Sequence, residues 1–534
     1  MSEWLRIEAR RRATAWTEHA HVALTERIAA GVLQPSILHR FIMGIDSEFT
    51  VMSPSEVAEL KDPMGALLKQ GKFLLTVDAV LRELDVAGIL PRQSSFLISE
   101  AGQISPEQAL SLQRDMRFAI IRGQSSDADL AISTSAVGNP EKVFLQVAGW
   151  DDQAGLFNYY MRLSETWVWA GNSYHALTFP SRGNGCFDSH VNGSLVMKEL
   201  KQPWSSWQSM NATIQLPDND PLRQNPLYKS LSGAEDLENI VRAGIRRWTA
   251  ARLKRAVTAA GVIVNADWLL RQLCTTTTVN LTSTTVASKA AVDDPAAILS
   301  LPLGFWLNAD VLLNAPLEIP ADFILPGVTG SLYADSLIRY DFALVQDNFR
   351  ESGDTFFAFV VPEVSFEDID VMNQMVNAGI LTAHFVASIL MVDFPNPVFS
   401  LARAKLLQYM PSAATLQPAA GGLSRQIAEV ISSAAQGQSA DSPEAEFKAN
   451  WELGESDWKN IFASRIESYM TAVSKRISSV EGFDDYVRLA ESRRREFRTM
   501  RLNEFSLTLP VTNIPWGAPL LQMQSDGAIH EKSS

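Results

Sequence analysis

Cys186, Asp188 and His190 lie within five residues of one another in the stretch Ser181-Arg182-Gly183-Asn184-Gly185-Cys186-Phe187-Asp188-Ser189-His190-Val191-Asn192-Gly193. An imidazole ligates metals or moves protons near neutral pH, a thiol supplies a soft ligand, and a nearby carboxylate orients a ligand. His190 is therefore the candidate metal ligand, and Asp188 with His190 the candidate catalytic pair. Gly183, Gly185 and Gly193 admit backbone conformations closed to other residues and let a ligand approach closely. Cys186, Arg182 and the upstream indoles of Trp167 and Trp169 complete the candidate cofactor-binding set. Tyr160 is expected to help shape the pocket.

Other groups carry chemistry elsewhere. Asp151 and Asp152 are near in sequence, but spacing alone does not make them an acid–base pair. His384 is a second candidate ligand or a satisfied buried histidine, while His39 reads as structural. His19 and His21 are two apart and cannot share a helical face, so they are no metal pair. Arg242, Arg246, Arg247, Arg252, Lys254 and Arg255 on one helical segment suit an anionic cofactor, or else a solvated face and ion pairs. The run Thr275 to Thr278, continued by Thr282 to Thr285, favours extended structure, and its hydroxyls suit buried backbone groups. No histidine within local reach makes a nucleophile of any of them.

Cys186-Phe187-Asp188-Ser189-His190 resembles the c-type cytochrome haem-attachment motif, in which two cysteines flank two residues and a histidine follows; Ser189 stands in place of the second cysteine. The following Asn192-Gly193-Ser194-Leu195-Val196-Met197-Lys198-Glu199-Leu200 is similar to the segment after such motifs in some bacterial haem proteins. The resemblance spans about residues 182–207. It implies that His190 is an axial iron ligand, that Cys186 is the one remaining thioether position, and that Met197 is either a second axial ligand or core filler. The implied cofactor is haem, or iron or copper.

The elements that must position these residues follow from periodicity. Val143, Leu145 and Val147 alternate with Phe144, Gln146 and Ala148, and Leu156 to Leu163 resumes the alternation after the turn at Asp151 to Gly155. Trp167 and Trp169 share a face of a third run, a wall of rings that fills a core or lines a pocket. Asp129 to Thr134 adds a strand, and Ser95 to Ser99 is another candidate. After the glycine-rich loop, Ser194 to Lys201 reads as a short helix with Ser194 as N-cap, stopped by Pro203. Upstream, the first 123 residues read as mainly helical: a first helix ending near Gly31, a capping box with proline at Ser53-Pro54-Ser55-Glu56, and a further start at Asp62-Pro63. Downstream, Ser232 to Glu235 starts a helix with an apolar stripe, and Thr382 caps Ala383 to Val392. Arg493-Arg494-Arg495 reads as a solvated helix face.

The expected fold class is α+β, predominantly helical with one antiparallel β-meander. Its expected regions are 1–125 (helical), 126–217 (meander, loop and short helix), 218–411 (mainly helical), 412–443 (flexible linker or lid) and 444–534 (helical, with a disordered tail). A chain of 534 residues with a net charge of −14 is large enough for two or more cores and too acidic for a general nucleic-acid binder. Two cysteines exclude a disulfide framework and favour a reducing compartment, hence the cytoplasm. No apolar run approaches the roughly twenty residues that span a bilayer. P-loop, dinucleotide, zincin and nucleophile-elbow patterns are absent, as are repeats of fixed period. The expected function is a soluble oxidoreductase-like protein with a haem or transition-metal site at Gly183 to Met197 and a small-molecule substrate or cofactor as partner. The alternatives are a non-catalytic binding or scaffold protein and a metal-free hydrolase or transferase.

Overall fold

Two prolines stand at helix starts early in the described chain. In the helix Pro54–Glu59, Ser53 Oγ accepts from Glu56 N while the Glu56 carboxylate takes the Ser53 N–H at 2.8 Å, the reciprocal cap read in the sequence. In the helix Pro63–Lys69, Asp62 Oδ1 accepts from Met64 N and Gly65 N, each at 3.0 Å. The computed structural model describes residues 33–99, 102, 104, 116–125, 127–141, 143–195, 200–202, 204, 206–210, 212–283, 294–346, 349–352, 359–416, 422–500 and 510–532. The expected first helix ending near Gly31 lies outside the described residues, as do four residues of the expected helix Ser194 to Lys201, Met197 among them. Among the described residues no helix is long and apolar enough to cross a membrane.

The chain forms two compact units, Met1–Trp248 with Gln346–Phe349 and Arg501–Thr508, and Thr249–Val345 with Arg350–Met500 and Leu509–Ser534. The first is built on strands β1 (Leu38–Arg40), β2 (Thr50–Val51), β3 (Arg92–Ile98), β4 (Arg117–Gly123), β5 (Leu130–Ser135), β6 (Leu145–Asp151), β7 (Leu156–Leu163) and β8 (Thr166–Asn172). They form one sheet in the order β2-β1-β8-β7-β6-β5-β4-β3. Neighbours are antiparallel except β1, which runs parallel to β8 with Leu38 beside Trp167 and Arg40 beside Trp169. The expectation of a single antiparallel meander in a predominantly helical protein is thus corrected: the sheet is eight-stranded and mixed, and small two-stranded sheets occur besides it. The physical reason is local. β4 is buried along nearly its whole length and shows no alternation, and β1 and β2 are three and two residues long, too short for a period of two to register.

One face of β7 and β8 carries Asn158, Tyr160, Arg162, Trp167 and Trp169, and it is closed by Asp62. The Asp62 carboxylate is fully buried and accepts from Tyr160 Oη at 2.6 Å and Asn158 Nδ2 at 2.9 Å through Oδ2, while Oδ1 caps the helix. Trp169 Nε1 extends the network to Asn158 Oδ1 at 3.0 Å. Gly149 leaves room for it, since a Cβ there would stand 2.3 Å from Asp62 Oδ1. The adjacent carboxylate of Asp151 takes Lys61 N and Ala154 N, tying the same helix entry to the β6–β7 turn.

The second unit has a helical core around Trp306, Tyr333, Phe385, Phe462, Tyr469 and Tyr486. Its long helices are Trp458–Ile477 and Val480–Thr499. Arg493, Arg494 and Arg495 are buried there, which overturns the solvated-face reading. Arg493 donates to Phe305 O and Pro395 O, Arg494 to Val360 O and Glu491, and Arg495 to Trp516 O, Ala518 O and Pro519 O. A guanidinium enters a core when its donors find acceptors, and irregular segments supply main-chain carbonyls. Two further stretches differ from expectation. Residues 412–443 contain the helix Gly422–Ala434, which buries Leu423, Ile427 and Ile431, and the end of the chain forms a hairpin, Leu521–Met523 with Ile529–Glu531, turned at Gly527. A helix of modest length hidden in an Ala/Ser-rich stretch, and a hairpin announced only by Asp526-Gly527, give weak local signals.

A second polar knot closes the turn Val392 to Ser400. The Asp393 carboxylate takes Asn396 Nδ2 and Ser400 Oγ, and Arg403 spends both terminal nitrogens on the carbonyls of Val392, Asp393, Asn396 and Pro397. Glu446 accepts from Asp393 N at 3.3 Å, and burial pushes its carboxyl up to about 7.

Three outcomes follow. Asp62→Ala removes a cap and strands the Tyr160 and Asn158 donors, so the denaturant midpoint should fall by the equivalent of about 3 kcal/mol. Gly149→Ala should also destabilise, but less in the Asp62→Ala background than in the parent, since the colliding carboxylate is gone. For Glu446 the folded carboxyl holds its proton above the ordinary value of 4.5, so its contribution is complete below that value and is lost as pH rises to about 7. Urea unfolding at pH 5 and pH 7.5 should show a fall that Glu446→Gln reduces by about 2 kcal/mol.

Candidate functional site

Tyr159 points to the opposite face of the sheet from Tyr160, and the glycine-rich loop packs over it. Phe187 meets its ring edge-on at 5.5 Å, and the His190 imidazole stacks on it at 5.0 Å with planes 29° apart. Main-chain bonds wind the loop into short turns: Gly183 N to Phe187 O, Phe187 N to Asn184 O, His190 N to Cys186 O and Gly193 N to His190 O. Residues Gly185–Asp188 form a single 3₁₀ turn. Gly193 has φ +83° and passes so close to the chain that a Cβ would stand 2.5 Å from Ser173 O. Glycine is required there by space and by conformation together. The indole of Trp248 then fixes the loop's exit by donating to Asn192 O at 2.8 Å.

Each candidate residue has a definite place. His190 Nδ1 lies 2.9 Å from Ser194 O; a carbonyl only accepts, so Nδ1 carries the hydrogen. Ser194 orients the ring through this bond, and the Asp188 carboxylate accepts from Ser189 Oγ at 3.1 Å. Cys186 is a buried free thiol, and burial, then the Asp188 charge, pushes its pKa up to about 12. Arg182 is half-buried, its amide bonded to Thr178 O. Met197 lies outside the described residues. Trp167 and Trp169 stand on the Asp62 face, with Trp167 Nε1 bonded to Leu74 O at 3.0 Å, so the structure does not bring them to His190. Tyr160 belongs to that same face. The rings fill a core.

The remaining candidates are also engaged. Arg247 lies 4.4 Å over the Trp150 ring and pairs with Asp129 at 2.7 Å and Asp152 at 3.2 Å, the ion-pair reading of the basic helix. His384 is buried between the rings of Trp451 and Trp458, with Nε2 on Asn450 O, which is the satisfied-histidine reading. His39 is buried and bonded through Nδ1 to Ile37 O. Sequence reasoning passed over Asp62 as more than a helix cap, and it missed Asn158 and Tyr159. The signal for Asp62 was present, because a cap before proline facing a strand with Asn-x-Tyr can be shared, but only the register puts them together.

A covalently attached haem does not fit this arrangement. Its thioether position would be the buried Cys186 thiol. Among the described residues, no group of three or more His, Cys, Asp or Glu side chains is arranged to hold a metal ion. The thiol environment is directly measurable. In native protein at pH 8, Cys186 and Cys274, both pushed up to about 12 by burial, should fail to react with a disulfide reagent over minutes, and two thiols per chain should react in guanidinium. Comparison of the chain with protein-family models, with curated proteins and with solved structures finds no match.

Proposed function

We propose that this protein is a non-catalytic binding or scaffold protein whose cytochrome-like segment serves as structure. One observation carries the reading: the His190 ring of the 182–193 loop stacks on Tyr159 of β7 and bonds to Ser194 O, while the Asp188 carboxylate takes the Ser189 hydroxyl. His190 bridges Tyr159 and Ser194, Cys186 is sealed as a neutral thiol, and Gly193 admits a close main-chain crossing. Side chains committed to ring stacking and hydrogen bonds favour a single loop conformation, which is what a scaffold requires. A reducing compartment such as the cytoplasm accords with two buried free thiols.

The competing reading, a haem or transition-metal site at Gly183 to Met197, has one feature in its favour. An imidazole whose Nδ1–H is held by a carbonyl is oriented as metal-binding histidines are. Absorption spectra and elemental analysis of protein from a haem-supplemented host separate the two. The scaffold reading expects no Soret band, less than stoichiometric iron or copper, and a His190→Ala variant that is spectrally unchanged and destabilised by about 1–2 kcal/mol. A Soret band or one metal per chain that disappears with His190→Ala contradicts it.

A further inference from the structure

The threonine run ends beside a small polar cavity in the second unit, lined in part by Cys274, Thr275, Thr276, Asn308, Asp368 and Arg403. Three of the four threonines serve as mortar. Thr275 Oγ1 donates to Arg271 O, Thr276 Oγ1 accepts from Phe399 N, and Thr277 gives both its N–H and its hydroxyl to the Asp368 carboxylate. These contacts fix Asp368 in the first turn of the helix Phe366–Asn377. Asn308 is 7% exposed and lines the same cavity, yet its Oδ1 has no hydrogen-bond partner. A buried amide oxygen is ordinarily satisfied, so this acceptor marks a place for a donor or a cation.

The lining decides which. It presents a carboxylate and an amide oxygen, both acceptors. Arg403 also lines the cavity, but its terminal nitrogens are committed to four carbonyls and its charge faces the Asp393 carboxylate. An anion would therefore meet acceptors. A thiol-seeking or divalent transition metal would find no converging set of three ionisable ligands among the described residues. The space, ≈ 20 Å³, holds about one or two water-sized particles. Weakly hydrated monovalent cations are held by neutral oxygens with little formal charge. We propose that this cavity binds a small monovalent cation of potassium or ammonium size, with the Asp368 carboxylate and the Asn308 amide oxygen among its ligands.

The test uses the full chain in potassium, ammonium, sodium and tetramethylammonium chloride at equal ionic strength, with the thermal midpoint as readout. A saturable rise in potassium or ammonium over tetramethylammonium is expected, and which of the two acts at lower concentration identifies the cation. Asn308→Leu should abolish the rise while the protein still folds, and Asn308→Asp should restore it. Asp368→Asn should weaken half-saturation by about tenfold or more. Should that variant fail to fold, because Thr277 depends on the carboxylate, the Asn308 pair decides alone. Crystals grown in rubidium chloride should show an anomalous peak in the cavity. Identical midpoints in all four salts, an undiminished rise in Asn308→Leu, or a water with no anomalous signal would each overturn the proposal.

Discussion

A carboxylate taken wholly out of water must have its oxygens bonded, and the first unit is arranged so that Asp62 does. Four donors from two different levels of structure converge on it: two main-chain N–H groups at a helix start and two side chains from one strand. Burial raises its pKa, and the bonds from Tyr160, Gly65 and Asn158 oppose that rise. The same bonds fix the helix Pro63–Lys69 against β6 and β7 and settle which face of β7 turns inward. With Tyr160 committed to Asp62, Tyr159 must point the other way, and it becomes the platform for the glycine-rich loop. The second unit obeys the same constraint with the opposite charge. There buried guanidiniums at Arg403, Arg493 and Arg494 find main-chain carbonyls.

This constraint bears on how the proposed scaffold reading treats the residues that look most reactive. A loop with thiol, carboxylate and imidazole within five residues has the types that metal and acid–base sites use. Placed on the face of the sheet opposite Asp62, those types meet a tyrosine ring, a serine hydroxyl and a carbonyl.

The sequence made legible what depends on neighbours in the chain. Ser53 with Glu56, Asp62 before Pro63, and Thr382 are capping signals that work through local backbone N–H groups, and all three act as read. The alternation of Leu145 to Val147 and Leu156 to Leu163 located strands for the same reason. What stayed hidden depends on partners far along the chain. A strand of three residues, Leu38–Arg40, exists because β8 accepts it in parallel; the arginines at 493–495 look solvated until carbonyls from residues 305, 360, 395 and 516–519 arrive around them. Trp167 and Trp169 were correctly placed on one face, yet the identity of that face was set by Asp62, about a hundred residues earlier.

The central claim is that the His190 loop is a structural closure. Nitrogen-15 spectra of its imidazole, recorded in the native protein with and without haem, iron or copper salts, test it most directly. A ring with the hydrogen on Nδ1, unchanged by any of the three additions, is the result this account requires. A shift or broadening of the Nε2 resonance on stoichiometric addition of one of them would contradict it and make the loop a ligand site.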